Sequence, residues 1–146
     1  MTRDLKRLQT IEALFSTRES AAGSELAGYE RTLVDAQEQL QVLRTYRDGY
    51  LNHSNAGPGA SVGHYQNHAS FMRRLNEAIC QQEETVQRAR VDRDAVLQRY
   101  RMCRQRTMAV GKAHGKRLAS HRQEVDRREQ KEMDQWRPPS ADSENG

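Results

Sequence analysis

The residue types able to carry chemistry are few and poorly spaced for it. GKAHGK at Gly111–Lys116 has the glycines and lysine of a phosphate-binding loop. Only three residues separate those glycines where such a loop needs four, and Arg117 stands where it needs serine or threonine. His64 and His68 share the i, i+4 spacing that puts two imidazoles on one helical face, and His53 lies nearby, but no cysteine joins them. His114 and His121 are seven residues apart, which is too far for such a pair. Cys80 and Cys103 are separated by 23 residues on one expected helix, roughly 35 Å at a rise of ~1.5 Å per residue. They form no intramolecular disulfide there, which fits a reducing cytosol. No serine or cysteine has an evident base partner. The expectation is no enzyme, no catalytic residue, no cofactor and no metal.

The elements that would have to position any site are helices. Of the 146 residues only 35% are hydrophobic while 30% are charged; that is enough for narrow apolar seams on long amphipathic helices and too little for a compact globule. The stretch Asn52–Gly63, NHSNAGPGASVG, holds three of the nine glycines, one of the three prolines and no charge, so it reads as the one turn between two helical arms. The start of the chain carries no apolar run suited to a signal peptide, and no stretch approaches a membrane span, so a cytosolic protein without membrane insertion is expected.

In the first arm a seam runs through Leu5, Leu8, Glu12, Phe15, Glu19, Ala22, Leu26, Tyr29, Leu33, Ala36, Leu40, Leu43, Arg47 and Tyr50. Alternating steps of three and four, sustained in this way, are a coiled-coil pattern. Glu12 and Glu19 weaken it, and Gly23 and Gly28 each cost about 1 kcal/mol against alanine inside a helix. The second arm repeats the pattern in Met72, Leu75, Ile79, Gln82, Val86, Ala89, Arg93, Val96, Tyr100, Cys103, Thr107 and Val110. Beyond Val110 the same register gives His114, Arg117, His121 and Glu124, and Leu118 and Val125 lie one place off, as though the stripe drifts round the helix.

Two arms and a short turn predict an all-α, two-helix antiparallel coiled-coil hairpin. Its helices are expected over about 2–51 and 64–136, with a turn at about 52–63, a single domain over 1–136 and a disordered tail at 137–146. A turn centred near residue 59 sets Leu43 opposite Leu75, Leu26 near Asp92 and Leu5 near Ala113. The second helix then overhangs the first, and its apolar content falls where the partner ends. The overhang, Leu118–Trp136, is polar enough to be expected to fray when alone. A three-helix bundle needs a further break near Gly111 or Gly115 and a more apolar third helix.

The net charge is +4, from 20 arginines and four lysines against 20 acids. Residues 72–106 carry nine arginines against five acids, which keeps a coiled-coil nucleic-acid binder as an alternative. Acids are interleaved throughout, however, and no basic run adjoins a parallel zipper, so no nucleic acid is expected. A self-assembling structural coil is a further alternative. Tyr46, Tyr50, Tyr65 and Phe71 supply four of the eight aromatics, and all flank the turn. Tyr50 is on the seam. Tyr46 and Phe71 occupy the position just before each seam a residue, so in an antiparallel pair both rings fall on one face, exposed and suited to docking.

With the paired Tyr46 and Tyr50, the segments DAQEQLQVLRTYRDGYLNH (Asp35–His53), HYQNHASFMRRLNEAICQQ (His64–Gln82) and DRREQKEMDQW (Asp126–Trp136) resemble FliJ, a coiled-coil family of the bacterial flagellar type III export apparatus. The resemblance covers most of the chain. It implies a hairpin similar to the gamma-subunit coiled coil of rotary ATPases, and a non-enzymatic component that binds the export ATPase ring, the cytoplasmic domain of the export gate FlhA, and export chaperones. It implies a cytoplasmic protein peripherally associated with the inner-membrane export apparatus. A stalk protein of an injectisome shares the expected shape.

By resemblance, the gate-binding residues are Gln39, Leu43, Tyr46 and Tyr50 on the first arm and Phe71, Leu75, Ala78 and Gln82 on the second. Gln82 departs from the histidine of the family pattern. On each arm these positions step by four, three and four, a single helical stripe. For Leu43, Leu75 and Tyr50, plain seam packing is an equal reading. The resemblance assigns the terminal end, where Leu5, Leu8, Phe15, Lys112, Arg117 and Arg122 lie, to the ATPase ring.

Overall fold

The structure is a computed structural model that describes residues 2–53 and 62–136. Two α-helices pack against each other, α1 over Thr2–His53 and α2 over Val62–Gln135, and the described residues contain no strand. Each helix runs two residues further into the expected turn than the sequence boundaries, since Asn52, His53, Val62 and Gly63 are tolerated at helix ends. The rest of that turn, residues 54–61, and the expected tail at 137–146 lie outside the described residues.

Neither helix contains proline, and most of their residues are good helix formers. Asp4 in the first turn of α1 faces the positive end of the helix dipole. The threonines are accommodated by hydrogen bonds to the carbonyl four residues back, as from Thr10 to Lys6 at 2.9 Å and from Thr32 to Gly28 at 3.1 Å.

The chain divides into two compact units. One is Ser20–Met102; the other combines Met1–Glu19 with Cys103–Gly146. The first, here the apolar unit, contains every buried hydrophobic side chain of the described residues: Leu33, Ala36 and Leu40 from α1, and Leu75, Ile79, Val86, Ala89 and Val96 from α2. All eight are seam positions. Seven form one cluster, with Leu43, Phe71 and Met72 packed against it. Tyr29 alone among the α1 seam residues is exposed.

The pairing within this unit is antiparallel. Tyr50 stacks on His68, and the Gln82 side chain donates to the Ala36 carbonyl at 2.9 Å, both at the expected register. Further along, Glu25 pairs with Arg99, and the Tyr100 ring sits over Gly23 with Cε2 3.4 Å from where a Cβ would be. By the same arithmetic Glu25 and Gly23 face Arg93 and Ala95, so these α2 partners lie six and five residues further along, a spread that long side chains also show nearer the turn, where Arg44 meets Glu83.

In the second, terminal unit, no described side chain is fully buried. Its seam is continued by polar groups. Glu12 Oε2 lies 2.7 Å from His114 Nδ1, an ion pair when the imidazole is protonated. The Thr107 hydroxyl donates to the Cys103 carbonyl at 2.9 Å, with the Phe15 carbonyl 3.2 Å away across the pair. Beyond Val110 the half-buried positions are Gly111, His114, His121 and Glu124, and Leu118 and Val125, on the stripe of Gly111, are 36% and 38% exposed. His121 Nδ1 is buried in this stretch without a hydrogen-bond partner among the described residues, a cost that the polar register carries.

Candidate partner-binding surfaces

The heptad arithmetic sorts the eight expected gate-binding residues into two sets. Gln39, Tyr46, Phe71 and Ala78 flank the seam on one edge of the helix pair, and Leu43, Tyr50, Leu75 and Gln82 are seam residues. The structure brings them together in the apolar unit. The Tyr46 and Phe71 rings meet edge to face with centroids 6.1 Å apart, and Phe71 also packs on Tyr50 at 4.5 Å. Such aromatic contacts are worth roughly 0.5–1.5 kcal/mol beyond area burial. The expectation that both rings stand exposed holds for one of them. Tyr46 is 57% exposed, whereas Phe71 is partly buried against the core.

Leu75 is only 7% exposed and belongs to the core cluster against which Leu43 and Phe71 pack. Ala78 is half-buried. The Gln82 amide, tied to the Ala36 carbonyl, walls an open groove together with Gln39 and Leu43. The other edge of the pair is closed by polar contacts, Arg44 to Glu83 at 3.2 Å and Arg47 to Asn76 at 3.5 Å. The aromatic edge is thus the one that offers apolar surface.

Two contributors escape sequence reasoning. His68 stacks on Tyr50 with centroids 5.1 Å apart. Its i, i+4 relation to His64 drew attention to metal binding, while its relation to Tyr50 depends on the turn. Val42, 67% exposed, lines the groove beside Leu43. Its signal was available: a valine three residues after Gln39 and four before Tyr46 continues the same face.

In the terminal unit, Leu5, Leu8 and Phe15 are half-buried and turned toward α2. Arg18 stands 5.9 Å from the centre of the Phe15 ring, within reach of a cation–π contact. Arg117 pairs with Asp4 at 3.7 Å. Lys112 and Arg122 are exposed, without an ion-pair partner among the described residues. These residues form a mixed surface with cations available at its outside and apolar groups facing inward; no convergent catalytic arrangement arises from them.

Among the described residues, no group of three or more histidines, cysteines or acids is placed to hold a metal ion, and both cysteines are free. No helix among them is long and apolar enough to cross a membrane. A sequence model of the family described as flagellar FliJ protein matches residues 5–137, a span that contains every residue of both surfaces. No curated protein matches the chain.

Proposed function

The chain belongs to the flagellar FliJ protein family, whose members are components of the flagellar export apparatus, and from that premise we propose that it is a non-enzymatic coupling protein with two binding ends. The aromatic edge meets the cytoplasmic domain of the export gate FlhA. The terminal unit meets the export ATPase ring and promotes its assembly and activity. Export chaperones are escorted between them, and the protein works in the cytoplasm, peripherally at the inner-membrane apparatus.

The observation that carries this reading is the exposed Tyr46 ring held against Phe71, on the edge opposite the Arg44–Glu83 and Arg47–Asn76 contacts. A ring fixed by a second ring loses little side-chain freedom on binding, and such pre-organised aromatics dominate interface energetics. Leu43, Gln39, Ala78 and Gln82 extend the surface, with Tyr50 and Leu75 holding it in shape. For the ATPase, the candidate residues are Leu5, Leu8, Phe15, Lys112, Arg117 and Arg122, of which Lys112 and Arg122 have cations free to engage acidic groups.

The test is capture of the gate's cytoplasmic domain and, separately, of the export ATPase by the Tyr46→Ala/Phe71→Ala variant. Loss of gate capture, with ATPase capture intact and helicity unchanged, is expected. Unchanged gate capture would assign that contact elsewhere. Loss of both, with reduced helicity, would show that the rings chiefly hold the fold.

A further inference from the structure

The solvent face of α1 carries more apolar surface than its part in the helix pair requires. Val34 is 48% exposed and Val42 67%, and they lie about 80° apart round the helix at 100° per residue. Two open grooves run along this face. One lies between Val42, Leu43 and Gln82; the other passes Val34 and Ala27; Asp35 and Glu38 border both.

The charges around these grooves are unbalanced. Glu30, Asp35 and Glu38 stand against one cation, Arg31. Asp35 and Glu38 have no hydrogen bond or ion pair among the described residues, whereas Arg44 and Arg47 of the same helix are engaged by Glu83, Asp48 and Asn76. Arg31 likewise has no ion pair among the described residues, but it lines only the groove past Val34; the groove beside Val42 is bordered by Asp35 and Glu38 with no cation in its lining. The apolar floor of the Val42 groove and its acidic rim together define what would fit.

We infer that this face of α1 is a docking surface for a basic amphipathic helix of a partner protein, whose apolar residues seat over Val34 and Val42 and whose lysines or arginines meet Asp35 and Glu38. A helix fits better than an extended segment. The backbone of α1 is satisfied internally, so it has no free edge to which a strand could add. The grooves run along a helix, and side-chain ridges of a third helix can settle into them. The charges act mainly on specificity and encounter rate, with the apolar floor contributing most of the affinity. The inference is independent of the gate assignment, although the surface adjoins Tyr46 and shares Gln39, Leu43 and Gln82 with it.

Two synthetic helical peptides of about 18 residues, roughly five turns, provide the test. Both carry the same leucine stripe; one flanks it with lysine and arginine, the other with glutamate. Each is titrated into the full chain while the methyl resonances of Val34 and Val42 are followed. The basic peptide is expected to shift both, and to bind about tenfold more weakly between about 0.05 and 0.5 M salt. Asp35→Asn/Glu38→Gln is expected to weaken it about tenfold, and Asp35→Lys/Glu38→Lys to transfer the preference to the acidic peptide. These positions are exposed, so helicity should be unchanged.

Equal binding of the two peptides, indifference to the Asp35 and Glu38 changes, or shifts confined to other residues would overturn the proposal. So would absence of binding, or self-association in sedimentation that Val42→Asp abolishes, since a second copy would then be the occupant. The Tyr46→Ala/Phe71→Ala variant separates this proposal from the gate reading: it should still bind the basic peptide. Retained peptide binding with unchanged gate capture would sink the gate reading alone.

Discussion

The apolar unit and the terminal unit apply one heptad pattern to different material. Between Ser20 and Met102, the seam is filled by leucine, isoleucine, valine and alanine that lose nearly all contact with water. In the terminal unit, the equivalent positions include Glu12, Thr107 and His114, and these meet one another or the backbone. Helix pairing therefore tolerates polar seam residues when each finds a partner across the pair. It gains little from them, since a typical hydrogen bond nets only ~1 kcal/mol after its exchange with water. Burying a large aliphatic side chain contributes ~1.5–3 kcal/mol. The apolar unit should accordingly hold the stability, while the terminal unit holds geometry at lower cost of opening.

The largest contrast should come from truncating seam residues of each kind. Ile79, 3% exposed, cut back to alanine should lose ~2–4 kcal/mol in urea unfolding, because a cavity is left along with the lost burial. The half-buried Leu8 should lose less than ~1.5 kcal/mol on the same change. Equal losses would erase the distinction between the units.

A second experiment sharpens it. Glu12→Ala or His114→Ala alone should cost ~1–2 kcal/mol of local stability, because the remaining partner is left part-buried and unpaired. Replacing both with leucine should recover that loss and add to it. Amide exchange at Leu5–Phe15 should then slow toward the rates of Leu33–Leu43. A double-mutant cycle showing no coupling between the two sites would refute the cross-pair contact.

The smallest effect concerns the helix itself. A Cβ added at Gly28 would meet no atom within 4 Å, so Gly28→Ala should stabilise by up to ~1 kcal/mol through propensity alone. A higher melting temperature without a change in α2 protection is the expected result; destabilisation would reveal a neighbour at that face.

Much of this was legible in the sequence because helix pairing has a period. Every fully buried residue lies on the three-and-four spacing, and the flanking position of Tyr46 and Phe71 follows from the same count. What periodicity does not carry is axial register. The Glu12–His114 contact joins residues 102 positions apart, whereas the turn position alone sets Glu12 near Arg106. The groove beside Val42 was legible in that residue's spacing from Gln39 and Tyr46, but a seam pattern describes what faces inward and gives no weight to an outward valine.

The Gly23–Tyr100 fit bears on how the helix pair carries load. Most seam contacts in a coiled coil are interchangeable: slide one helix by a heptad and aliphatic groups meet similar neighbours. The Gln82 bond to the Ala36 carbonyl is equally forgiving, since every residue offers a carbonyl. Tyr100 differs in size: its ring lies close enough to Gly23 that a Cβ there would just touch it, at 3.4 Å, and a longer side chain would crowd it. Shifted by seven residues, it would confront Ser16 or Glu30 instead. The ring therefore disfavours a slip of one heptad, which would set a longer side chain against it, without resisting bending or twisting of the pair.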